Sequence, residues 1–364
     1  MKYILINTVL AFSLFFGCTV KPYHLEEVDN PVYKPNKVFS NLEDLTSEKF
    51  HHLKAKYMLD TVVSGETNEF KRILLLRNWV KSRIQINDYG DPYPNEKSAE
   101  GILDEAIING QGYHCGHFML VQNDVMNAYG YIARPLGAGP GVEGADGHHG
   151  INEIWSNDFQ KWFLSDAKYN HHFEKNGIPL SVLEIREEYL KNEGTDIQVV
   201  RGISREPIEE QLEYDHNGDE FYRSKFMFTQ IYTWAAWHAD FIGKVVMYDD
   251  DFYKNNVWLR NGKPHWTYNH PSELILVEDR DVIEWTPNTI TAIVTIDVNQ
   301  ATVKLDSETP NFKEYQMMEA PSGEWLPISD SVTLKLDKSP QEFLFRAVNL
   351  ADVTGPEYKI LLKN

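Results

Sequence analysis

Cys115 is the residue from which a chemical reading of this chain starts. It is one of two cysteines, the other being Cys18. It follows Gly112-Tyr113-His114 and precedes Gly116-His117-Phe118, where a helical pattern begins with Phe118, Val121, Val125 and Ala128 on one face and Gly130 closing it. A thiol is a nucleophile as its thiolate, and a helix N-terminus together with a nearby imidazole lowers its pKa. Gly112 and Gly116 leave room for a substrate backbone. The N–H of Cys115 itself is placed to serve as half of an oxyanion hole, with Gln111 or Asn109 as candidates for the other half. The imidazole needs a carboxylate to orient it. Two strand-like stretches, 149–156 and 161–167, flank Asn157-Asp158, and a two-residue hairpin turn there would set His149 directly opposite Asp166.

The elements that must hold these groups follow from periodicity. Helical spacing runs through Phe70, Ile73, Leu76, Val80 and Ile84 with Thr67 as a cap, and again through Ile102, Leu103, Ala106 and Ile107. The pattern turns helical from Ser47 onward. A turn-rich stretch falls at 89–94, and 131–137 reads as a further strand. Helical stretches are expected near 180–191 and 225–245. Residues 221–268 hold 14 aromatics, read as core, with a glycan-facing wall as the alternative. Beyond 284, Val294/Ile296/Val298, Val303/Leu305, Val332/Leu334/Leu336 and Phe343/Phe345 alternate with polar neighbours, which predicts a β-sandwich.

Four short motifs stand in order: Gly-Tyr-His-Cys115-Gly-His, Ala128-Tyr-Gly130-Tyr-Ile-Ala-Arg134, His149-Gly-Ile-Asn-Glu153-Ile-Trp155, and Lys161-Trp162-Phe-Leu-Ser-Asp166. Together they resemble the transglutaminase-like, papain-related superfamily over residues 70–170. That resemblance implies an α+β fold with a nucleophile helix packed on an antiparallel sheet. It also implies Cys115 as nucleophile, His149 as general base and acid, and Asp166 as orienting residue, with no cofactor. Ile151 stands where the family has Trp, and His114 and His117 flank the nucleophile where acidic or small residues are commoner. The end of the chain, from Arg346, resembles fibronectin-type-III-like modules. Arg134 and Glu153 read as a structural ion pair. His114, His117, Gln111 and Tyr113 are possible accessory groups.

The histidine density (His114, His117, His148, His149, His171, His172) permits a metal site or proton abstraction beside a uronate, with Tyr113 or Tyr169 assisting. Adjacent histidines on a strand face opposite ways and no His-x-x-x-His step occurs, so the expectation is no metal. The run Asp249-Asp250-Asp251 reads as a solvated loop rather than a calcium site.

The N-terminus reads as an export signal. Met1-Lys2-Tyr3 precedes the apolar run Ile4–Phe16 and then Gly17-Cys18, which resembles a bacterial lipobox despite Phe15-Phe16 in place of the usual pair. The resemblance implies cleavage before Cys18, lipid on its thiol, and, from Thr19, an outer-membrane location facing the periplasm or the cell surface. With Cys18 acylated, Cys115 has no disulfide partner. The expected organisation is a signal peptide at 1–17, a tether at 18–45, a transglutaminase-like domain with an aromatic-rich extension at 46–283, and a fibronectin-type-III or Ig-like β-sandwich at 284–364. The 364 residues carry 35 Lys+Arg against 54 Asp+Glu, a net charge of −19, which repels phosphate backbones and argues against nucleic-acid partners. Two function classes remain. One is a lipid-anchored thiol hydrolase that cleaves an amide or acyl bond of a peptide or glycan substrate outside the cytoplasm. The other is a glycan-binding or polysaccharide-processing lipoprotein that uses the same cleft, as a lyase or hydrolase.

Overall fold

The structure is a computed structural model that describes residues 22–26, 28–88, 98–140, 148–214, 219–241, 243–251, 273–321 and 323–364. Residues 1–17, Cys18, the 89–94 turn and the 252–268 part of the aromatic-rich segment lie outside the described residues.

Four helices come first: α1 (Glu48–Lys56), α2 (Glu69–Arg83), α3 (Ala99–Asn109) and α4 (Cys115–Asn127). α2 begins one residue later than Thr67 would set, because the side chain of Asn68 accepts from Lys71 N and provides the N-cap. Two more, α5 (Val182–Asn192) and α6 (Lys225–Ile231), follow the hairpin. The central sheet has six strands in the order Glu273–Val277, Lys244–Tyr248, Trp234–His238, Ala133–Gly139, His149–Ser156 and Lys161–Ser165. Its pairs are antiparallel except the first two strands named, which run parallel.

Each face of this sheet buries its own cluster. Ile154 and Phe163 face α1–α4, against Ile73, Leu76, Val121 and Val125. Ile151, Trp155, Trp162 and Leu164 face the other way, against Leu183, Ile185, Phe228, Tyr232 and Trp237. Burial on both faces explains why the 225–245 stretch departs from its helical expectation. The sequence Trp234-Ala-Ala-Trp237 has no polar alternation, since Trp234 and Ala236 enter one cluster while Ala235 and Trp237 enter another. Only the first turns, Lys225–Ile231, are helical.

The central hairpin also differs from expectation. Asn152 pairs with Ser165 and Ser156 with Lys161, so the turn holds four residues, 157–160, with Gln160 at positive φ. The pairing is shifted by two residues from a two-residue turn. An even shift keeps every side chain on its face, so His149 and Asp166 still project from the same side.

The C-terminal part forms two sheets, one of five strands and one of three, facing a single cluster that includes Val303, Leu305, Leu334, Phe343, Phe345 and Ile360. The stretch expected as a tether is, over its described part, packed structure. His24–Glu26 adds an edge strand to Tyr358–Lys363, and Tyr23 joins the cluster with its hydroxyl on Lys338 O at 2.8 Å. Phe39 stacks on Trp285, and Asn36 bonds its own turn. Its prolines prevented a periodic pattern, but apolar residues such as Tyr23 and Phe39 are buried. Gly130 seats the two parts together: it has φ +73°, and a Cβ there would stand 2.5 Å from Ala351 Cβ, while Asn349 Nδ2 donates to its carbonyl at 2.9 Å.

Candidate active site

α4 presents Cys115 as its first residue. The preceding His114 is the N-cap, with Nδ1 accepting from Gly116 N at 3.0 Å, and His114 O takes the His117 N–H. The N–H of Cys115 donates to no partner among the described residues. Of the two candidates for the other half, Gln111 Nε2 donates one N–H to Gly112 O at 2.9 Å and Asn109 Nδ2 one to Glu105 at 2.7 Å.

α4 packs on the face of the sheet opposite to His149, so its N-terminus must reach past the strand end. Gly150 allows this, since even a Cβ built on it would lie 3.4 Å from Gly116 Cα. Around that edge Cys115 comes beside the imidazole of His149, close enough for each to shift the other's ionisation. His149 Nε2 lies 2.6 Å from Asp166 Oδ2, which leaves Nδ1 for the thiol. Asp166 is fixed by three further contacts. Tyr169 N–H donates to Oδ1 at 3.1 Å, Tyr232 Oη donates to Oδ2 at 3.1 Å, and a backbone bridge ties Asp166 to His171. Tyr169 stacks on the His149 ring at 5.3 Å.

The electrostatics follow from burial and pairing. Burial pushes the Cys115 thiol up. Its bonds to His114 and His149, the His149 charge, and the Lys168 ammonium more than offset this and hold it well below an ordinary thiol. Burial alone would lower His149. The Asp166 charge and hydrogen bond, then the bond to Cys115, raise it to about 9. Asp166, itself penalised by burial, is held well below the usual carboxylate range chiefly by His149. The shifts are in the directions that favour a thiolate beside an imidazolium, with the carboxylate ionised.

The other histidines have separate roles. Burial lowers His117 to about 4, and its ring packs on His114 at 4.2 Å and Tyr113 at 4.7 Å. His172 is buried between Arg77 Nη1 at 3.0 Å and Glu174 at 2.7 Å. No group of three or more His, Cys, Asp or Glu side chains suited to a metal occurs among the described residues. Arg134 and Glu153 form the expected structural pair at 2.6 Å, with Glu153 also accepting from Trp237 Nε1 and Val182 N. Asp250 of the acidic run pairs with Arg186.

Sequence reasoning missed Tyr232 and Lys168, and singled out His171 only as one of the histidines that permit a metal site or proton abstraction. Tyr232 comes from the aromatic-rich segment, beyond the motif block, and its neighbours Phe228 and Trp237 are plain core. Lys168 is buried and paired with Asp88 at 2.7 Å. Its place two residues after Asp166 was the one available signal.

No family model matches the chain, and no curated protein matches it. Among solved structures, a candidate cysteine protease from Cytophaga hutchinsonii aligns at 17% identity and TM-score 0.26, over 34% of this chain and 39% of that one. Red sea bream transglutaminase aligns at 11% identity and TM-score 0.25, over 85% of this chain and 71% of its own. A candidate protease from Parabacteroides distasonis gives 11% and 0.23, over 85% and 52%. The alignments thus span well under two thirds of the first of these proteins. Similarity at these scores assigns neither fold nor reaction, and the functional reading rests on the geometry of Cys115, His149 and Asp166.

Proposed function

We propose that this chain is a thiol hydrolase of the transglutaminase-like type that cleaves an amide or acyl bond through Cys115, His149 and Asp166. The observation that carries the reading is a thiol at a helix start beside a buried imidazole, which is itself hydrogen-bonded to a buried carboxylate 2.6 Å away.

The steps follow from the positions. The Cys115 thiolate attacks the carbonyl carbon, forming the C–S bond while the carbonyl π electrons move to oxygen. The Cys115 N–H, at the positive end of α4, donates to that oxyanion. The imidazolium gives its Nδ1 proton to the leaving amine as the C–N bond breaks, leaving a thioester. Water then attacks, its proton passing to Nδ1, and the thiolate is expelled. Asp166 keeps the imidazole in one orientation and stabilises its charge throughout. Hydrolysis is preferred to cross-linking because nothing in the sequence points to a second amine substrate.

Lipid on Cys18, an outer-membrane location and a fibronectin-type-III-like identity for the C-terminal sheets belong to the same proposal and rest on the sequence resemblances. The reaction is tested by a panel of peptide and aminoacyl amides. Wild type should turn over at least one and form a thioester that hydroxylamine releases, whereas Cys115→Ser should lose both. Turnover that survives Cys115→Ser would overturn the reading.

A further inference from the structure

Asp166 is approached by two buried imidazoles. His149 Nε2 is 2.6 Å from Oδ2, and His171 Nε2 is 3.6 Å from the same oxygen. Tyr232 Oη stands between the second imidazole and the carboxylate, 3.1 Å from Oδ2 and 3.3 Å from His171 Nε2. We infer that Tyr232 is a positioning residue: its hydroxyl occupies the Nε2–H of His171 and so reserves Asp166 for His149. The inference rests on the proposed Cys115–His149–Asp166 reading and extends it by two residues.

Hydrogen-bond counting forces the orientation. An ionised carboxylate accepts and cannot donate, so the single hydroxyl proton of Tyr232 goes to Oδ2. Tyr232 Oη is then an acceptor toward His171, which must carry its proton on Nε2. The remaining nitrogen, Nδ1, is a bare acceptor, and it has no hydrogen-bond partner among the described residues. His171 and Tyr232 are completely buried, and rings of Tyr169, Phe173 and Phe228 surround His171, so no water competes for these bonds.

The charges around the pair keep His171 neutral. Arg201, paired directly across from His171 on the neighbouring strand, and the nearby charges of Arg77 from α2 and His149 all oppose its protonation. Burial and these cations lower it to about 3. Toward Asp166, α2 also sends Lys81, and toward Tyr232 comes Arg223. Lys168 and Tyr169 stand on the turn between Asp166 and His171, and Cys115 lies beyond His149. Without the hydroxyl, the His171 Nε2–H is left with Asp166 Oδ2 as its nearest acceptor. A carboxylate shared between two imidazoles holds either imidazolium less firmly.

The test reads Cys115 alkylation by iodoacetamide against pH in the full chain. Wild type should show an acid step, as the thiolate forms, and an alkaline step, as the His149 imidazolium is lost. Tyr232→Phe keeps the ring and removes the hydroxyl. It should lower the alkaline step by about one pH unit, a tenfold weaker hold on the His149 proton, at a melting temperature close to wild type. Tyr232→Phe combined with His171→Leu removes the competitor and should restore the alkaline step. An unmoved step in Tyr232→Phe, or no recovery in the double variant, overturns the inference while the thiolate reading stands. Absence of the acid step in wild type would instead remove both together. Ring ¹⁵N shifts of native His171 give a readout that needs no variant: an Nε2–H tautomer is expected, and an Nδ1–H tautomer would overturn the inference.

Discussion

Asp166→Asn is the substitution whose effect can be worked most fully from the structure. His149 is raised from 6.5 to about 9 although burial alone would lower it, and the carboxylate supplies the two largest opposing contributions, its charge and its hydrogen bond. Asparagine keeps the size and removes the charge. Burial then acts unopposed except by Cys115, and His149 should fall to or below its ordinary value. The rise from 6.5 to about 9 corresponds to about 3 kcal/mol of imidazolium stabilisation. Losing it converts the thiolate–imidazolium pair at pH 7 back toward thiol and neutral imidazole. The iodoacetamide rate at Cys115 should drop about 100-fold at pH 7 and recover near pH 9, where an ordinary thiol ionises by itself. The assay is pseudo-first-order alkylation followed by intact mass, with circular dichroism confirming the fold. If the Asp166→Asn protein alkylates at pH 7 within a factor of two of wild type, the reasoning is refuted.

Three further outcomes follow from other parts of the molecule. Gly116→Ala would put a Cβ 2.9 Å from His114 Cε1, so the capping imidazole must shift and its bond to the residue 116 N–H weakens; α4 should lose up to about 1 kcal/mol and Cys115 should alkylate more slowly at pH 7, measured by denaturation and the same alkylation assay. Arg134→Met leaves the Glu153 carboxylate buried without its cation and should cost about 3–5 kcal/mol in urea unfolding, a loss under about 1 kcal/mol being inconsistent with a buried pair. The third concerns pH. Raised His149 contributes stability that is full below about 6.5 and lost as pH rises toward about 9, whereas depressed Cys115 contributes stability that grows with pH over the same range, so in wild type the two slopes oppose each other. Cys115→Ser removes the second slope, and the stability gap between the two proteins should widen by about 1 kcal/mol per pH unit from 6.5 to 8.5.

Much of the site was legible because its determinants are local. A cysteine at a helix start is marked by its glycines and by the apolar spacing after it, and the face shared by His149 and Asp166 depends only on parity, which survived a turn two residues longer than expected. What was not legible depends on distant packing. Tyr232 reaches Asp166 because α6 folds over the sheet 66 positions away, and nothing in the composition of its segment separates it from the core aromatics around it. The acceptors of the Gln111 and Asn109 amides were likewise not legible, because proximity in sequence to Cys115 says nothing of where they lie. The stretch 22–45 lacked periodicity, and its strand at His24–Glu26 exists only because a sheet edge formed by the last residues of the chain is there to pair with it.

The central claim is that Cys115 stands as a thiolate held by the imidazolium of His149. It is tested most directly by the pH dependence of Cys115 alkylation in wild type and in His149→Ala. An assembled pair requires wild type to react with a thiolate step below pH 7 and His149→Ala to lose it, its remaining step rising toward the free-thiol range near about 8.5. A wild-type thiol that titrates near that free value, or a low step that persists without His149, would contradict it.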